Sequence, residues 1–478
     1  MKQYNIKIFM VIFLAVFAVQ CESVLEETVF SELAPGNFLK TEEGINSLLF
    51  NAYSNVQVHG IPAFIAINAS EMPAGRTWNR GGSIETRLTP LTDYTWDSNH
   101  NDLNGIWTRQ HRAIRDVNLL LDNLDPELFS PDLIASITAQ CKFIRAKAMM
   151  RIYDFFGPGP LFISSENEEL KKPKASEAEY VGQIITDMTD AMNALPVEAE
   201  QYGRATKGAA AGLLCKFYLN QKDWTNAASM AKTVMDLGVY GLFPDYLEAF
   251  AIDNEGNEEM VYVHPHFRES GGGSNRINAL TFPTDYPRES NQGVWAARTY
   301  FFDSFVDSYH PDDTRKEMVV QYYISSSSGD TVWGYGNDQS IPIKYQWDPE
   351  ALNTSTDSDF PEVRYADILL SRAEALNEMN GPSQEAIDLI NLVRDRAGVP
   401  QFNLGDYGSK EALRDAILQE RAWEFAYEGK SRQDQIRHGV MISRAQARGK
   451  NAQNHHVKYA IPQQEIDANP NIQQNEGY

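Results

Sequence analysis

The chain has 478 residues, 42% hydrophobic and 22% charged, a composition that suits a globular protein with a large core. Its 65 acidic and 42 basic side chains give a net charge of −23. That balance excludes nucleic acid as a partner and an anionic membrane surface held by charge alone, because both depend on Lys and Arg neutralising phosphates.

Residues 1–20 read as a secretion signal. Lys2 and Lys7 form a basic start, and Ile8 to Val19 is an unbroken apolar run. The run is shorter than the roughly 20 residues of a membrane-spanning helix and fits the core of a signal peptide. It ends Ala18-Val19-Gln20-Cys21, which looks like a lipoprotein signal whose Cys21 becomes the lipidated N-terminus. An ordinary cleaved signal with an incidental Cys is the alternative. Several acyl chains on one Cys would give stable anchoring. Residues 21–44 are acidic and irregular and read as a tether. The other cysteines, Cys141 and Cys215, sit in apolar helical stretches and read as buried free thiols.

Helical periodicity starts at residue 45, with Leu48, Leu49, Ala52, Tyr53 and Val56 on one face. Residues 59–105 read as a long loop rich in Gly and Pro, and long loops are often functional. Helices resume at Trp107, a core residue by its place in an apolar stripe. A helix over 133–156 stops at Gly157-Pro158-Gly159-Pro160, and Ser176 with Glu179 has capping-box spacing. Residues 206–237 form two helices around the turn Gln221-Lys222-Asp223. Residues 363–397 repeat that plan around Gly381-Pro382. Units of this length are similar to tetratricopeptide repeats, which bury a face only by stacking. Between the pairs, 257–365 is irregular, with short strands expected at Met260–Val263 and Val319–Ile324.

Five segments carry a family resemblance. They are Arg145 to Leu161; Ala205 to Trp224; Arg364-Tyr365-Ala366-Asp367-Ile368-Leu369-Leu370 with Ala373-Glu374-Ala375 and Leu392 to Gly398; Glu420 to Gly429; and Ile461 to the end, with Asn469-Pro470-Asn471. In this order they resemble the SusD/RagB-like outer-membrane lipoproteins. The resemblance departs at Lys430-Ser431-Arg432-Gln433 and at Glu476. It implies an all-α dominated fold in which tetratricopeptide-like helix pairs form a right-handed superhelical scaffold with long loops and a few short strands. It also implies one domain over 45–478, with an N-terminal part to about 225 and a C-terminal part from about 226. The implied function is capture of oligo- or polysaccharide on the outer face of the outer membrane, and delivery to a SusC-like TonB-dependent transporter. No cofactor and no catalytic residue are implied.

A sugar binder needs flat aromatic platforms and planar hydrogen-bonding groups. Arg76, Trp78 and Asn79 lie in the Gly-rich loop, and Trp96 and Asn99 stand just before a helix. The family places ligand contacts in this region, so these are candidate contacts, with loop packing as the alternative for both tryptophans. Trp295 and Tyr300 are a second candidate group, with packing as the alternative for Trp295. Trp224 and Trp423 occupy helix positions that the family uses for packing.

A pure interaction scaffold, as helical repeats often are, would fit if Trp78 and Trp96 were buried, and two further alternatives remain. One is a peptide-binding importer partner of the same fold. The other is a glycoside hydrolase, which needs two carboxylates about 5 or 6.5–9.5 Å apart. Asp93, Asp97 and Asp102 are available in the loop but read as solvated. His264-x-His266 and His455-His456 read as surface histidines rather than metal ligands. The basic run Lys430 to Lys450 reads as a solvated helix face.

Overall fold

The computed structural model describes residues 38–166, 169–270 and 273–478. The signal segment, Cys21 and residues 22–37 of the tether lie outside them. The chain divides into two units, Met1–Ile45 and Asn46–Tyr478. In the first, Thr41 Oγ1 accepts the Gly44 N–H (3.1 Å) where helix α1 (Glu42–Val56) begins.

In the second unit, the stretch 59–105 is not the loop its Gly and Pro content suggested. It holds α2 (Ile61–Glu71), β1 (Thr77–Arg80) and α3 (Glu85–Asp93). Ala63 to Glu71 are all buried, so α2 is covered on every side and has no apolar stripe to read.

Five long helices follow: α4 (Asn101–Asp122), α5 (Pro131–Phe156), α6 (Glu177–Ala194), α7 (Lys207–Asn220) and α8 (Trp224–Asp236). Their starts obey local chemistry. Ser130, Ser176, Thr206 and Asp223 each accept a backbone N–H that the first turn leaves unpaired, and Ser176 with Glu179 completes the expected capping box. Helix α5 ends where Gly157 turns to φ 80°, which a residue with a Cβ adopts only under strain.

Short elements come next: β2 (Met260–His264), α9 (Ile277–Thr281), β3 (Arg298–Phe301), α10 (Asp303–Val306), β4 (Val319–Val320), β5 (Tyr322–Ile324), β6 (Thr331–Trp333), β7 (Ile341–Pro342) and β8 (Phe360–Arg364). They pair antiparallel as β1–β3, β2–β8, β4–β7 and β5–β6. Helices α11 (Tyr365–Asn380), α12 (Gln384–Arg396), α13 (Lys410–Glu424), α14 (Ser431–Arg437), α15 (Met441–Ala447) and α16 (Gln463–Ala468) complete the chain.

Each helix from α4 to α8 packs on the next. Helix α8 packs on α11, which holds α12 and α13. The two helix pairs read from the sequence are therefore neighbours, although the whole strand-bearing segment lies between them. Their contact is tight: Ala227, Ala231, Ala373 and Ala375 are fully buried. Small residues at a helix crossing allow this approach.

Under the strands lies a layer of buried charge. Arg364 Nη2 donates to Glu428 (2.7 Å) and its Nη1 to Glu424 (3.1 Å) and Glu259. Arg396 joins Glu259 (2.6 Å) and Glu424. Arg315 reaches Glu420 (2.7 Å), Glu424 (3.2 Å) and Asp313 (2.8 Å), and Lys344 reaches Glu428 (2.6 Å). Arg364, Arg396, Glu420, Glu424 and Glu428 belong to the sequence segments that carried the resemblance, so those segments signal a fold rather than a ligand; Glu259, Asp313, Arg315 and Lys344 come from the strand-bearing stretch between them. Gly429 closes the same motif. At φ +72°, its backbone passes α2 so closely that an added Cβ would lie 3.2 Å from Ile67 Cα.

Three readings are corrected here. Lys430, Arg432 and Arg437, expected on a solvated face, are buried. Carboxylates draw them inward: Arg437 pairs with Glu374 (2.6 Å) and Arg432 with Asp154 (3.0 Å). His264 and His266, expected at the surface, are buried beside β8, where the His264 ring meets Glu362. His456 is also buried, among Trp96, Tyr94 and Tyr478. Among the described residues no group of three or more His, Cys, Asp or Glu is placed to hold a metal ion. Trp107, Cys141 and Cys215 are buried as read. No helix among the described residues is long and apolar enough to cross a membrane.

The charge layer predicts how stability varies with pH. Burial alone would raise the Glu424 carboxyl, but Arg396, Arg364 and Arg315 outweigh it and hold it at about 2. Between the unfolded value near 4.5 and that value, the unfolded chain binds more protons, so stability falls as pH falls. Glu255 and Asp359 act in the opposite sense. Burial, then the Asp359 carboxylate, pushes Glu255 up to about 8, and burial raises Asp359 to about 7. Here the folded chain binds more protons, so stability falls as pH rises through that range. The buried histidines add to the acid limb: burial lowers His59, His111 and His456 to about 4, so below pH 6.5 the unfolded chain binds their protons and the folded chain does not. The urea midpoint is expected to be highest near pH 7 and to fall steeply towards pH 4, and a midpoint higher at pH 4 than at pH 7 would contradict this reading.

Candidate glycan-binding face

Strand pairing decides which predicted residues meet. β1 lies against β3 with Trp78 opposite Tyr300 and Asn79 opposite Thr299. Side chains alternate along a strand, so Trp78 and Tyr300 share one face while Asn79 and Thr299 share the other. The Trp78 and Tyr300 ring centroids are 5.6 Å apart, and Phe302 stacks on Trp78 at 6.4 Å with a 27° tilt. The Trp78 indole N–H donates to the Asp338 carbonyl (2.6 Å), which fixes the ring's orientation. Trp78 and Phe302 are half-buried and Tyr300 is buried beneath them. Phe282, Tyr286, Tyr323 and Trp347 belong to the same aromatic cluster.

The alternation corrects two candidates. Asn79 points inward and donates to the Arg298 carbonyl (2.8 Å), so its amide is committed to holding β1 on β3. Arg76 is buried too, with Cζ 4.7 Å from the Phe305 ring centroid, and burial lowers its pKa to about 10. Both support the face from below and neither reaches its surface.

Trp96 is corrected as well. It is only 4% exposed, and its N–H donates to the Tyr478 hydroxyl (2.6 Å). Tyr94, His456 and Tyr459 surround the ring at 4.8 to 5.1 Å. It clamps the C-terminal tail and has no free face for a sugar. Asn99 is exposed, in a turn where the Asp97 carboxylate accepts its N–H (2.8 Å) ahead of α4. Trp295 is half-buried on a different stretch, with Arg276 Cζ 5.7 Å from its ring centroid.

Two strongly exposed aromatics among the described residues were not read as contacts from the sequence. In the hairpin β5–β6, Tyr322 stands opposite Trp333, with ring centroids 4.9 Å apart and a 38° tilt. Tyr322 is 56% exposed and Trp333 59%, with Ile324 and Tyr335 also exposed nearby. The hairpin is firmly held. Gln321 O accepts the N–H groups of Gly334 (2.8 Å) and Tyr335 (2.9 Å), and the Tyr323 hydroxyl donates to Asp285 (3.0 Å). The Tyr335 hydroxyl donates to Asp307 (2.8 Å). Asp338, which orients Trp78, lies just beyond Tyr335 on the same turn, and its N–H donates to Asp303 (2.9 Å). One turn thus connects the two ring pairs. The signal was present in the sequence: Tyr322 and Thr331-Val332-Trp333 flank the turn Ser325–Gly329. The strand over Val319–Ile324 was expected, but Thr331–Trp333 was not read as its partner, and that hid the hairpin.

Exposed aromatic pairs are unfavourable in water unless something covers them. Trp78 and Tyr335 held by ring hydrogen bonds, Tyr322 and Trp333 carried on a paired hairpin, and a rim of Asp303, Asp307 and Asn337 suit a ligand with C–H-rich faces and hydroxyl edges. The acids Glu255 and Asp359, whose pKa values are pushed up, are engaged elsewhere. Asp359 accepts the Tyr202 hydroxyl and the His266 N–H (2.9 Å), and its own N–H donates to Glu255 (2.9 Å).

Comparison with known proteins follows the same lines. A family model described as the SusD family matches residues 240–478, and one described as starch-binding, associating with the outer membrane, matches 26–219. SusD-like protein P25 of Formosa agariphila is 25% identical, covering 98% of each chain. The starch-binding protein SusD of Bacteroides thetaiotaomicron is 24% identical over 86% of this chain and 85% of its own. The solved structure of a laminarin-binding SusD-like protein superposes with a TM-score of 0.80 at 23% identity, covering 92% of this chain and all of that one.

Proposed function

The chain belongs to the SusD family, and on that premise we propose that it is a non-catalytic glycan-binding protein of the outer-membrane surface. One observation carries the reading: the solvent-facing pair Tyr322–Trp333 on a hydrogen-bonded hairpin, joined by a single turn to the Trp78–Phe302 pair. Such rings bind the apolar face of a pyranose, and the neighbouring carboxylates and amide accept or donate hydrogen bonds to its hydroxyls. The captured oligo- or polysaccharide would pass to a SusC-like TonB-dependent transporter. Cys21 would carry the lipid anchor that holds the protein on the outer face of the outer membrane. Trp295, on its own stretch, is a further candidate contact, and Asn99 is a polar one.

The test is calorimetry of the chain from residue 21, carrying Cys21→Ser, against a polysaccharide panel that includes starch and laminarin. The same samples are assayed for new reducing ends. Binding without cleavage is the expected result. New reducing ends would make the protein a hydrolase. Binding of peptides and of no polysaccharide would favour a peptide-importer partner of the same fold.

A further inference from the structure

A cavity of about 390 Å³ lies where α5, α7, β8 and α14 meet. It shares no lining residue with the aromatic face. Its walls contrast with the rest of this acidic chain: the basic lining residues are Lys147, Arg151, Lys216, Lys222, Lys430, Arg437 and Lys458, against only Asp154, Glu177, Glu362 and Glu428.

Three of these carboxylates are already shared with cations, while Glu177 is exposed and accepts the Tyr153 hydroxyl. Glu362 serves Lys147 (2.9 Å), Arg151 (3.2 Å) and the His264 ring. Glu428 serves Arg364 (2.7 Å), Lys344 (2.6 Å) and Lys430 (3.1 Å). Asp154 is held by Arg432 (3.0 Å). At the mouth, Lys222 and Lys458 have no ion-pair partner among the described residues. Lys458 lies along the end of α5, where a Cβ on Gly157 would come within 3.2 Å of its Nζ. Lys147 is held at about 8, by burial first, although Glu362 opposes the shift, and Arg151 and Lys216 push the same way as burial. Lys147, Lys216, Lys430 and Arg437 are already paired, with Glu362, Asp367, Glu428 and Glu374, so an entering anion would gain its new partners from the exposed Lys222 and the half-buried Lys458, with the buried cations behind them adding to the attraction.

The rest of the lining narrows the anion's carrier. Gln433, Asn220, Gln221 and Tyr153 offer polar side chains, while Phe217 and Ile436 offer apolar ones. A second hollow of about 290 Å³ shares Lys222 and Arg437 and extends the groove past Trp224 and His438. Trp224, read from the sequence as packing, is half-buried and lines that groove.

We propose that this groove is a second binding site, for the carboxylate or sulfate group of an acidic saccharide. The saccharide as carrier rests on the glycan-binding reading above; the recognition of an anion rests on the groove alone.

The experiment titrates D-glucuronate, glucose 6-sulfate and D-glucose into the chain from residue 21 with Cys21→Ser, at low salt. Calorimetry and saturation-transfer NMR provide the readouts. Both acids are expected to bind saturably at millimolar concentration and glucose not to bind in the groove. The double variant Lys222→Gln/Lys458→Gln changes only outer side chains, and it is expected to weaken both acids at least fivefold with an unchanged unfolding temperature. Trp333→Ala is expected to leave them unchanged. A failure of the neutral-glycan panel would leave these measurements intact, so the two readings fail separately. Equal binding of glucose, no binding of either acid, or insensitivity to the lysine changes would each overturn the proposal. Displacement of glucuronate by triglutamate at a lower concentration than the sugar acid itself would overturn the saccharide assignment in favour of an acidic peptide.

Discussion

Trp333→Ala is expected to weaken glycan binding about thirtyfold while leaving the fold intact. Losing the stacking contact and the apolar area it covers removes about 2 kcal/mol, and 1.4 kcal/mol is a factor of ten. Trp333 is 59% exposed and contributes little to the core, so its removal should change stability by no more than about 0.5 kcal/mol. Tyr322→Ala is expected to act in the same direction, because each ring holds the other's tilt. Trp96→Ala is the informative contrast. It opens a cavity beside Tyr459 and His456 and leaves the Tyr478 hydroxyl without its donor, at a cost of about 3–5 kcal/mol. The molecules that still fold should bind with unchanged affinity. Calorimetry at matched folded fractions separates the outcomes. If Trp96→Ala abolished binding and Trp333→Ala did not, the ligand would not sit on this face.

Arg364→Met is expected to destabilise the protein by about 3–5 kcal/mol, the usual effect of removing one partner from a buried charge group. Its guanidinium faces Glu259, Glu424 and Glu428, all buried. Methionine fills much of the volume, so the loss reports uncompensated carboxylates rather than a void. A companion, Glu424→Gln, keeps the shape and removes one charge that Arg315, Arg364 and Arg396 share. It should also destabilise, and it should flatten the acid limb of the pH profile because the group held at about 2 is gone. Urea unfolding at pH 5 and pH 3 measures both effects. A change below about 1 kcal/mol in both variants would mean that the layer contributes little to holding the strands on α13.

Local chemistry in the sequence was enough to place the long helices. Ser130, Ser176, Thr206 and Asp223 are caps whose partners lie within four residues, and Gly157 ends α5 through its own backbone freedom. The resemblance was legible for a related reason. Arg364, Glu374, Arg396, Glu424 and Gly429 form a buried network that tolerates few alternatives, so the motif and the fold are the same information. The binding face was legible only in part. Trp78 and Tyr300 could be listed as aromatic residues in polar surroundings, but they lie far apart in the chain. Only the register of β1 on β3 puts them face to face and turns Asn79 away. Nothing local distinguishes Trp96 from Trp333, since both stand in polar stretches beside a turn. The fold sends the C-terminal tail, with Tyr459 and Tyr478, over the first and leaves the second in water. Helix ends depend on neighbours a few residues away, which a sequence displays. Exposure depends on which distant segment arrives to cover a side chain, and only the tertiary structure decides that.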